Sequence, residues 1–292
     1  MSVGIDLGGT MVKGVILASD GQIVQECTRD TNDSGAGAFK TEVLAVAKEL
    51  DVQSRGLPVG LCAPGLADDS NTCIAHMPGR LEGLEGFDWG EFIGVDNTSV
   101  LNDAHAAMLA EANFGAAQGK KHAALLTLGT GVGGALLIDG KLHTGWLNRA
   151  GHLGHMSQQP FGEAGIVGLP GTLEMAIGNS TVHKRSHGRF DSTKALVDAY
   201  LEGHTWATLV WLESVQSLAL GLSSLVNILS PEIFLLSGGI TKAEDALFDP
   251  LADFMDLVEW RPGGAGALIQ QAHFAAQAGA VGAACFAAKL ST

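Results

Sequence analysis

Asp6-Leu7-Gly8-Gly9-Thr10 closes the first apolar run of the chain, and Leu128-Gly129-Thr130-Gly131-Val132-Gly133-Gly134 closes a later one. Each is a glycine turn between two apolar stretches. Val3 to Leu7 leads into the first and Val12 to Leu17 leaves it; His122 to Leu128 leads into the second and Ala135 to Ile138 leaves it. Each unit then ends on an Asp-Gly hairpin signal, Asp20-Gly21 and Asp139-Gly140. A supersecondary unit used twice predicts two similar α/β halves that face each other across a cleft, where ligands usually bind.

Around these turns the elements follow in order. Ile23 to Thr28 reads as a third strand, and residues 36–50 have helical spacing through Phe39, Val43, Leu44, Ala47 and Leu50. Pro58 to Cys62 reads as a strand that Ala63-Pro64-Gly65 breaks. Val95 to Leu101 reads as another, ending at Asn102-Asp103, with a helix from Ala104 to Asn113. Trp206 to Leu229 is a long apolar helix, Ile233 to Leu236 a strand ending in Ser237-Gly238-Gly239, and Ala275 to Lys289 a helix of small residues.

Composition narrows the classes. The chain has 292 residues, 17 basic and 31 acidic, for a net charge of −14. That balance argues against binding nucleic acid or an anionic membrane, both of which need clustered Lys and Arg. With 46% hydrophobic and 16% charged residues, the chain has the composition of a packed globule. Glycine, 40 of 292, is about twice its usual share and serves turns and close backbone approach. The start, Met1-Ser2-Val3-Gly4-Ile5-Asp6, has no basic region and is not read as a signal peptide; no run of 18 apolar residues is seen, and Val215 to Leu236 is read as a buried helix and a strand. Four scattered cysteines, 27, 62, 73 and 285, form no C-x-x-C pair and read as reduced thiols in a cytoplasmic protein.

Four motifs carry chemistry. In the first turn, the carboxylate of Asp6 at a strand end can hold a hydrated Mg²⁺, and the N–H groups of Gly8 and Gly9 with the hydroxyl of Thr10 can face a phosphate. The second turn repeats that physics. It is neither a Walker loop, since no Gly-Lys-Ser/Thr follows, nor a dinucleotide fingerprint, since a strand follows it. Asn102-Asp103 at a strand-to-helix junction reads either as a plain N-cap or as a carboxylate that accepts a proton from an attacking hydroxyl. In Gly151-His152-Leu153-Gly154-His155 the histidines neighbour each other only if the segment is helical. No cysteine lies nearby, so a structural zinc site would lack ligands; polar contacts to a hydroxylated ligand fit better, with a metal site and plain loop histidines as the other readings.

Taken in order, Asp6–Thr10, Asn102-Asp103-Ala104, Leu128–Gly134, Gly151-x-x-Gly154-His155 and Ser237-Gly238-Gly239 resemble the ROK sugar kinases, the bacterial glucokinase-like members of the actin/hexokinase/Hsp70 ATPase superfamily. The likeness runs from Val3 to Ala288. It implies a two-domain actin-like (ribonuclease H-like) α/β fold, with domains at 1–117 and 118–274 and the C-terminal helix, 275–292, packing back on the first. It implies ATP and Mg²⁺, with transfer of the γ-phosphate to a hydroxyl of a hexose or related sugar. By the same likeness Asp103 is the general base, and Asn102, His152, His155, Glu174, Pro64 and Gly65 face the sugar. Asp6, Gly8, Gly9, Thr10, Lys13, Thr130, Gly131 and Gly133 serve the phosphates and metal, and Gly238 and Gly239 the adenosine. A homodimer is implied as well.

The sequence departs from the family pattern in three places. The cysteine cluster after the Gly-His is absent between Phe161 and Glu174, so no zinc site is expected. His152 stands where the family has a sugar-binding Glu, and Met11 where it has a Lys, with Lys13 two places on. Arg80 and Arg149 are cations without an assignment. A silent sugar sensor or a superfamily kinase or ATPase with a non-sugar acceptor are the competing readings. A ROK-type repressor is disfavoured, because the first strand begins at Val3 with no helix-turn-helix before it.

Overall fold

The computed structural model describes residues 1–290, apart from Ala36, Pro78, Asn97 and the side chain of Leu290. Backbone contacts group them into two compact units. One holds Met1–Gly119, Gly140–Ala150 and the chain from His273 onward; the other holds Lys120–Asp139 and Gly151–Ala272. The division expected from sequence gives Gly140–Ala150 to the second half. The structure places it with the first, where Asn148 Nδ2 donates to Asp68 O at 2.8 Å and His105 Nε2 lies 3.0 Å from Ala150 O.

In the first unit the sheet order is Ile23–Asp30, Met11–Leu17, Ser2–Leu7, Val59–Ala63, Ser99–Asn102. The first three strands are antiparallel and the last two join in parallel. The central strand is apolar on both sides because both faces are covered. The Phe39–Glu49 helix covers one face, burying Phe39, Val43 and Val46 in a core shared with Trp89 and Leu61. The expected helix start at residue 36 lies outside the described residues, as do residues 291 and 292 of the expected terminal helix.

The other face carries the Asp103–Phe114 and Ala278–Leu290 helices, and here the glycine excess finds its use. A Cβ on Gly4 would run into the Ala280 carbonyl, one on Gly60 into that of Ala283, and one on Gly282 into that of Ala106. Strands and helices touch backbone to backbone, which residues with a Cβ cannot do. The expected strand from Val95 is shorter than read. A Trp89–Ile93 helix ends at Gly94 (φ 71°), Val95 N–H donates back to Gly90 O at 3.0 Å, and pairing starts only at Ser99. Asn97 lies outside the described residues.

In the second unit the strands Val132–Ile138, Ala123–Leu128, Ile233–Ser237 and Leu268–Gln271 neighbour one another in that order. A hairpin is again followed by two parallel strands. Thr127 sits opposite Gly133 as Asp6 sits opposite Lys13, so the repeat read in the sequence is a repeat of register. The core is built on Trp211, whose Nε1–H is satisfied by Ala246 O at 2.8 Å, with Leu126, Phe234 and Leu222. The Thr205–Leu229 helix holds no unbroken run of 18 apolar residues, yet it is long and apolar enough to cross a membrane by length and composition (mean hydropathy 1.4). However, 56% of that window is buried in the protein, as in a core helix. All four cysteines are free.

Candidate active site

Two acidic groups of the first unit, Asp6 and Asp103, stand at or just past the ends of strands. Asp6 is the penultimate residue of its strand and is paired in register with Cys62 on the parallel neighbour. Burial is the main reason its carboxyl is pushed up to about 6; Lys13 opposes the shift, while the charge of Asp103 adds to it. The Cys62 thiol donates to Asp6 Oδ1 at 3.4 Å. Gly279 leaves room for the carboxylate: a Cβ there would lie 2.7 Å from Asp6 Cγ. One crowded carboxylate whose charge is disfavoured fits a hydrated Mg²⁺, which keeps most of its water and needs only one or two protein ligands.

The raised pKa has a stability consequence. Between the ordinary value of 3.8 and about 6 the folded protein holds this proton more tightly than the unfolded chain. The contribution is therefore full below 3.8 and is lost as pH rises through about 6, on the order of 3 kcal/mol. Thermal unfolding from pH 4 to 8 in metal-free buffer should show this decline, and Asp6→Asn should remove it. An unchanged slope in the variant would assign the pH dependence to other groups.

Asn102 and Asp103 have different work. Asn102 is the N-cap of the Asp103–Phe114 helix, its Oδ1 accepting from Ala104 N at 2.9 Å and His105 N at 3.2 Å. Its Nδ2 donates to Gly65 O at 2.9 Å, so it ties the Pro64-Gly65 turn (Gly65 φ 104°) to the helix start. The cap reading of this dipeptide thus holds for Asn102. Asp103, one residue on, is exposed to solvent. Surrounding protein nevertheless pushes its carboxyl up, against the Ala104 N–H and the nearby His105. Burial holds His105 below its usual value, which favours neutral imidazole.

The Gly8-Gly9-Thr10 turn is closed by Gly8 N–H to Met11 O at 3.0 Å and braced by Thr31, whose hydroxyl donates to Gly8 O at 2.7 Å. Arg80, which sequence reasoning left unassigned, lies on this turn. Its Nη2 donates to Gly9 O at 3.1 Å and its Nε is 3.8 Å from Asp33 Oδ2. Nothing in the sequence connects residues so far apart. Lys13, expected with the phosphates, donates from its ammonium to Ala276 O at 2.7 Å. Arg149 stacks on Trp146, 5.2 Å from the ring centre.

In the second unit Thr130 is exposed, and the turn is held from behind. Gly129 O and Thr130 O accept from Asn179 N and Ser180 N, both at 2.9 Å. Glu174, expected beside the sugar, has Oε2 on Val132 N–H at 2.9 Å, in the space a Cβ on Gly131 would need. It braces the glycine turn, and that link across 42 residues is invisible in sequence. His152 and His155 flank a Leu153–His155 3₁₀ turn with rings parallel within 3° and centres 5.9 Å apart, the proximity that helical geometry requires. Gly238 (φ 95°) presses against the Leu128 backbone, and Gly239 has open space around it.

Gly239 and Thr130 line a cavity of about 650 Å³, together with Asn179, Thr193, Lys242 and Glu244. These last four were missed; a Ser192 N-cap just before Thr193 and the lysine soon after Gly238-Gly239 were the available signals. Among the described residues no three His, Cys, Asp or Glu side chains gather as a metal-ligand group.

The family model of the ROK family matches residues 2–289. The glucokinase of Thermotoga maritima is 30% identical over 278 residues, spanning 86% of each chain. The glucokinase of Halalkalibacterium halodurans is 31% identical over 283 residues, 85% of this chain and 83% of its own. Among solved structures, the ROK hexokinase from Thermus thermophilus superposes with a TM-score of 0.86 at 27% identity, over 99% of this chain and 98% of that one. The ROK glucokinase from Streptomyces griseus, in complex with glucose and AMPPNP, has a TM-score of 0.79 at 25% identity over 99% of both. The fold is the two-domain actin-like ATPase α/β fold. The repeated hairpin, the glycine turns and the match over nearly the whole length lead to one statement: this chain belongs to the ROK family.

Proposed function

We propose that this protein is an ATP-dependent sugar kinase, a phosphotransferase with an alcohol group as acceptor, acting on a hexose or related sugar. The observation that carries the reading is the pair of carboxyls in the first unit, Asp6 and Asp103, at the ends of strands in one sheet and both held above their usual range. Such pairs mark sites where one group moves a proton and another meets a cation. The kinase and glucose–AMPPNP neighbours support the same class.

In this reading Asp103 takes the proton of the attacking hydroxyl. Its raised pKa makes it a stronger base than an ordinary Asp, and its exposure lets a substrate reach it. Asn102 holds the helix start that aims it and keeps one amide hydrogen beyond the Gly65 bond for a neighbouring hydroxyl. Pro64, Gly65, His152 and His155 complete the sugar-facing set, and Glu174 acts on it through the glycine turn it braces. Gly8, Gly9, Thr10, Thr130, Gly131 and Gly133 supply N–H and hydroxyl donors for the phosphates, and Gly238-Gly239 with the 650 Å³ cavity take the adenosine side. Asp6 would hold a hydrated Mg²⁺, which when bound neutralises phosphate charge. Phosphoryl transfer asks little covalent chemistry of the protein; it depends on positioning and on spreading charge over fixed donors.

The test is a coupled ADP-release assay over hexoses, amino-hexoses and polyols with Mg²⁺, with and without a zinc chelator. We expect ADP release that depends on one class of sugar and is indifferent to the chelator. Release independent of every sugar would favour an ATPase. No turnover would favour a silent sugar sensor, a reading that rests on His152 standing where the family pattern has a carboxylate.

A further inference from the structure

Arg185 ends a short Val182–Arg185 helix in the second unit. Its Nη1 is satisfied, donating to Gly178 O at 2.8 Å and to the Thr181 hydroxyl. Its Nε and Nη2 are buried and meet no acceptor among the described residues. The neighbouring cation, Lys184, is already paired with Glu163. Burial pulls the guanidinium down to about 10, so it keeps its charge at neutral pH. A buried charge with two unmet N–H groups is costly unless something supplies the acceptor. Beside it lies a cavity of about 490 Å³ whose lining includes Arg185, Lys184, Thr181, Gln158, Glu213 and Ser217. It shares no lining residue with the 650 Å³ cavity.

We propose that this second cavity binds a small oxyanion, a phosphate or a carboxylate, whose two oxygens take the Nε and Nη2 hydrogens of Arg185. The planar side-on fork of a guanidinium matches two oxygens of either group. Of the other charged residues lining the cavity, Lys184 and Glu163 cancel each other. Glu213 is exposed, so the buried charge on the lining is that of Arg185. The site is also connected to the second glycine turn. Arg185 holds Gly178 O, Gly178 N–H donates to Glu174 O at 2.8 Å, and the next two N–H groups hold Gly129 O and Thr130 O. An anion that draws on Arg185 therefore acts on the segment that fixes the turn, and nucleotide affinity should respond. This second half rests on the nucleotide reading above; the binding half does not.

Titration calorimetry on the full chain tests the site, with sodium phosphate and sodium malonate in separate arms against chloride at matched ionic strength. Saturable binding of at least one is expected, and the stronger arm names the ligand class. Arg185→Lys, which keeps the charge without the fork, should weaken it about tenfold. Ser217→Phe, which fills the cavity and leaves Arg185 in place, should block it even if Arg185→Lys folds poorly. Absence of saturable binding beyond chloride overturns the site. So does undiminished binding in both Arg185→Lys and Ser217→Phe, the outcome if the anion sits on the glycine turn instead. For the coupling, the Kd of AMPPNP should change at least twofold at saturating anion in the parent and stay fixed in Arg185→Lys. An unchanged Kd in the parent overturns the coupling.

Discussion

Asp103→Asn should lower kcat by about 10² to 10⁴ while the affinities for sugar and nucleotide stay within a few-fold of the parent. The substitution is nearly isosteric and keeps the oxygen that accepts from Ala104 N–H, so the helix start survives. The cap itself belongs to Asn102, which is untouched. What disappears is a carboxylate that can accept a proton, at an exposed position whose pKa the surroundings have raised. Steady-state kinetics combined with AMPPNP titration separates the two effects. Turnover within tenfold of the parent removes Asp103 from the role of general base.

The second large effect is on stability. Gly282→Ala should destabilise the protein by about 3 kcal/mol, at the upper end for inserted core atoms, and lower Tm by roughly 6–12 °C. The added Cβ would collide with the Ala106 carbonyl, and what stands in its way is helix backbone with no rotamer to turn. Ala106 belongs to the helix that begins with Asp103, so relief by movement would shift the Asp103 carboxylate, the proposed base. We therefore expect a fall in kcat at temperatures where the variant is still folded. Scanning calorimetry checks the first claim; a Tm within about 1 °C of the parent would show that the helices have slack which the close contact denies.

These expectations also show which kinds of interaction a sequence reveals. Local chemistry was legible. Asp139-Gly140 was read as a hairpin signal, and both residues have positive φ (51° and 74°). The Gly-rich turns were read as strand connections, and Gly8 and Gly129 each close one by a backbone bond. Asn102-Asp103 reads as a cap because both residue types favour that position ahead of the helix expected from Ala104, and the cap is Asn102. Interactions that depend on distant residues meeting were not legible. Arg80 reaching Gly9 and Glu174 reaching Val132 both join segments that no periodicity links. The run from Val95 to Leu101 reads as one strand because apolar residues stand at both its ends, Val95 and Val100-Leu101, although Asp96, Thr98 and Ser99 between them are polar. What ends the pattern is a glycine-capped helix just before it and a turn closed by the Thr98 hydroxyl on Val95 O at 3.0 Å. Lys13, which the resemblance puts with the phosphates, donates to Ala276 O, a contact between distant segments that no local pattern shows.

The most direct test of the central claim follows the phosphorus. ³¹P NMR of the protein with ATP, Mg²⁺ and a mixture of hexoses should show a phosphomonoester resonance rising in step with ADP, and Asp103→Asn should suppress it. Inorganic phosphate as the only new product, or a phosphomonoester formed equally fast by the variant, would contradict the account.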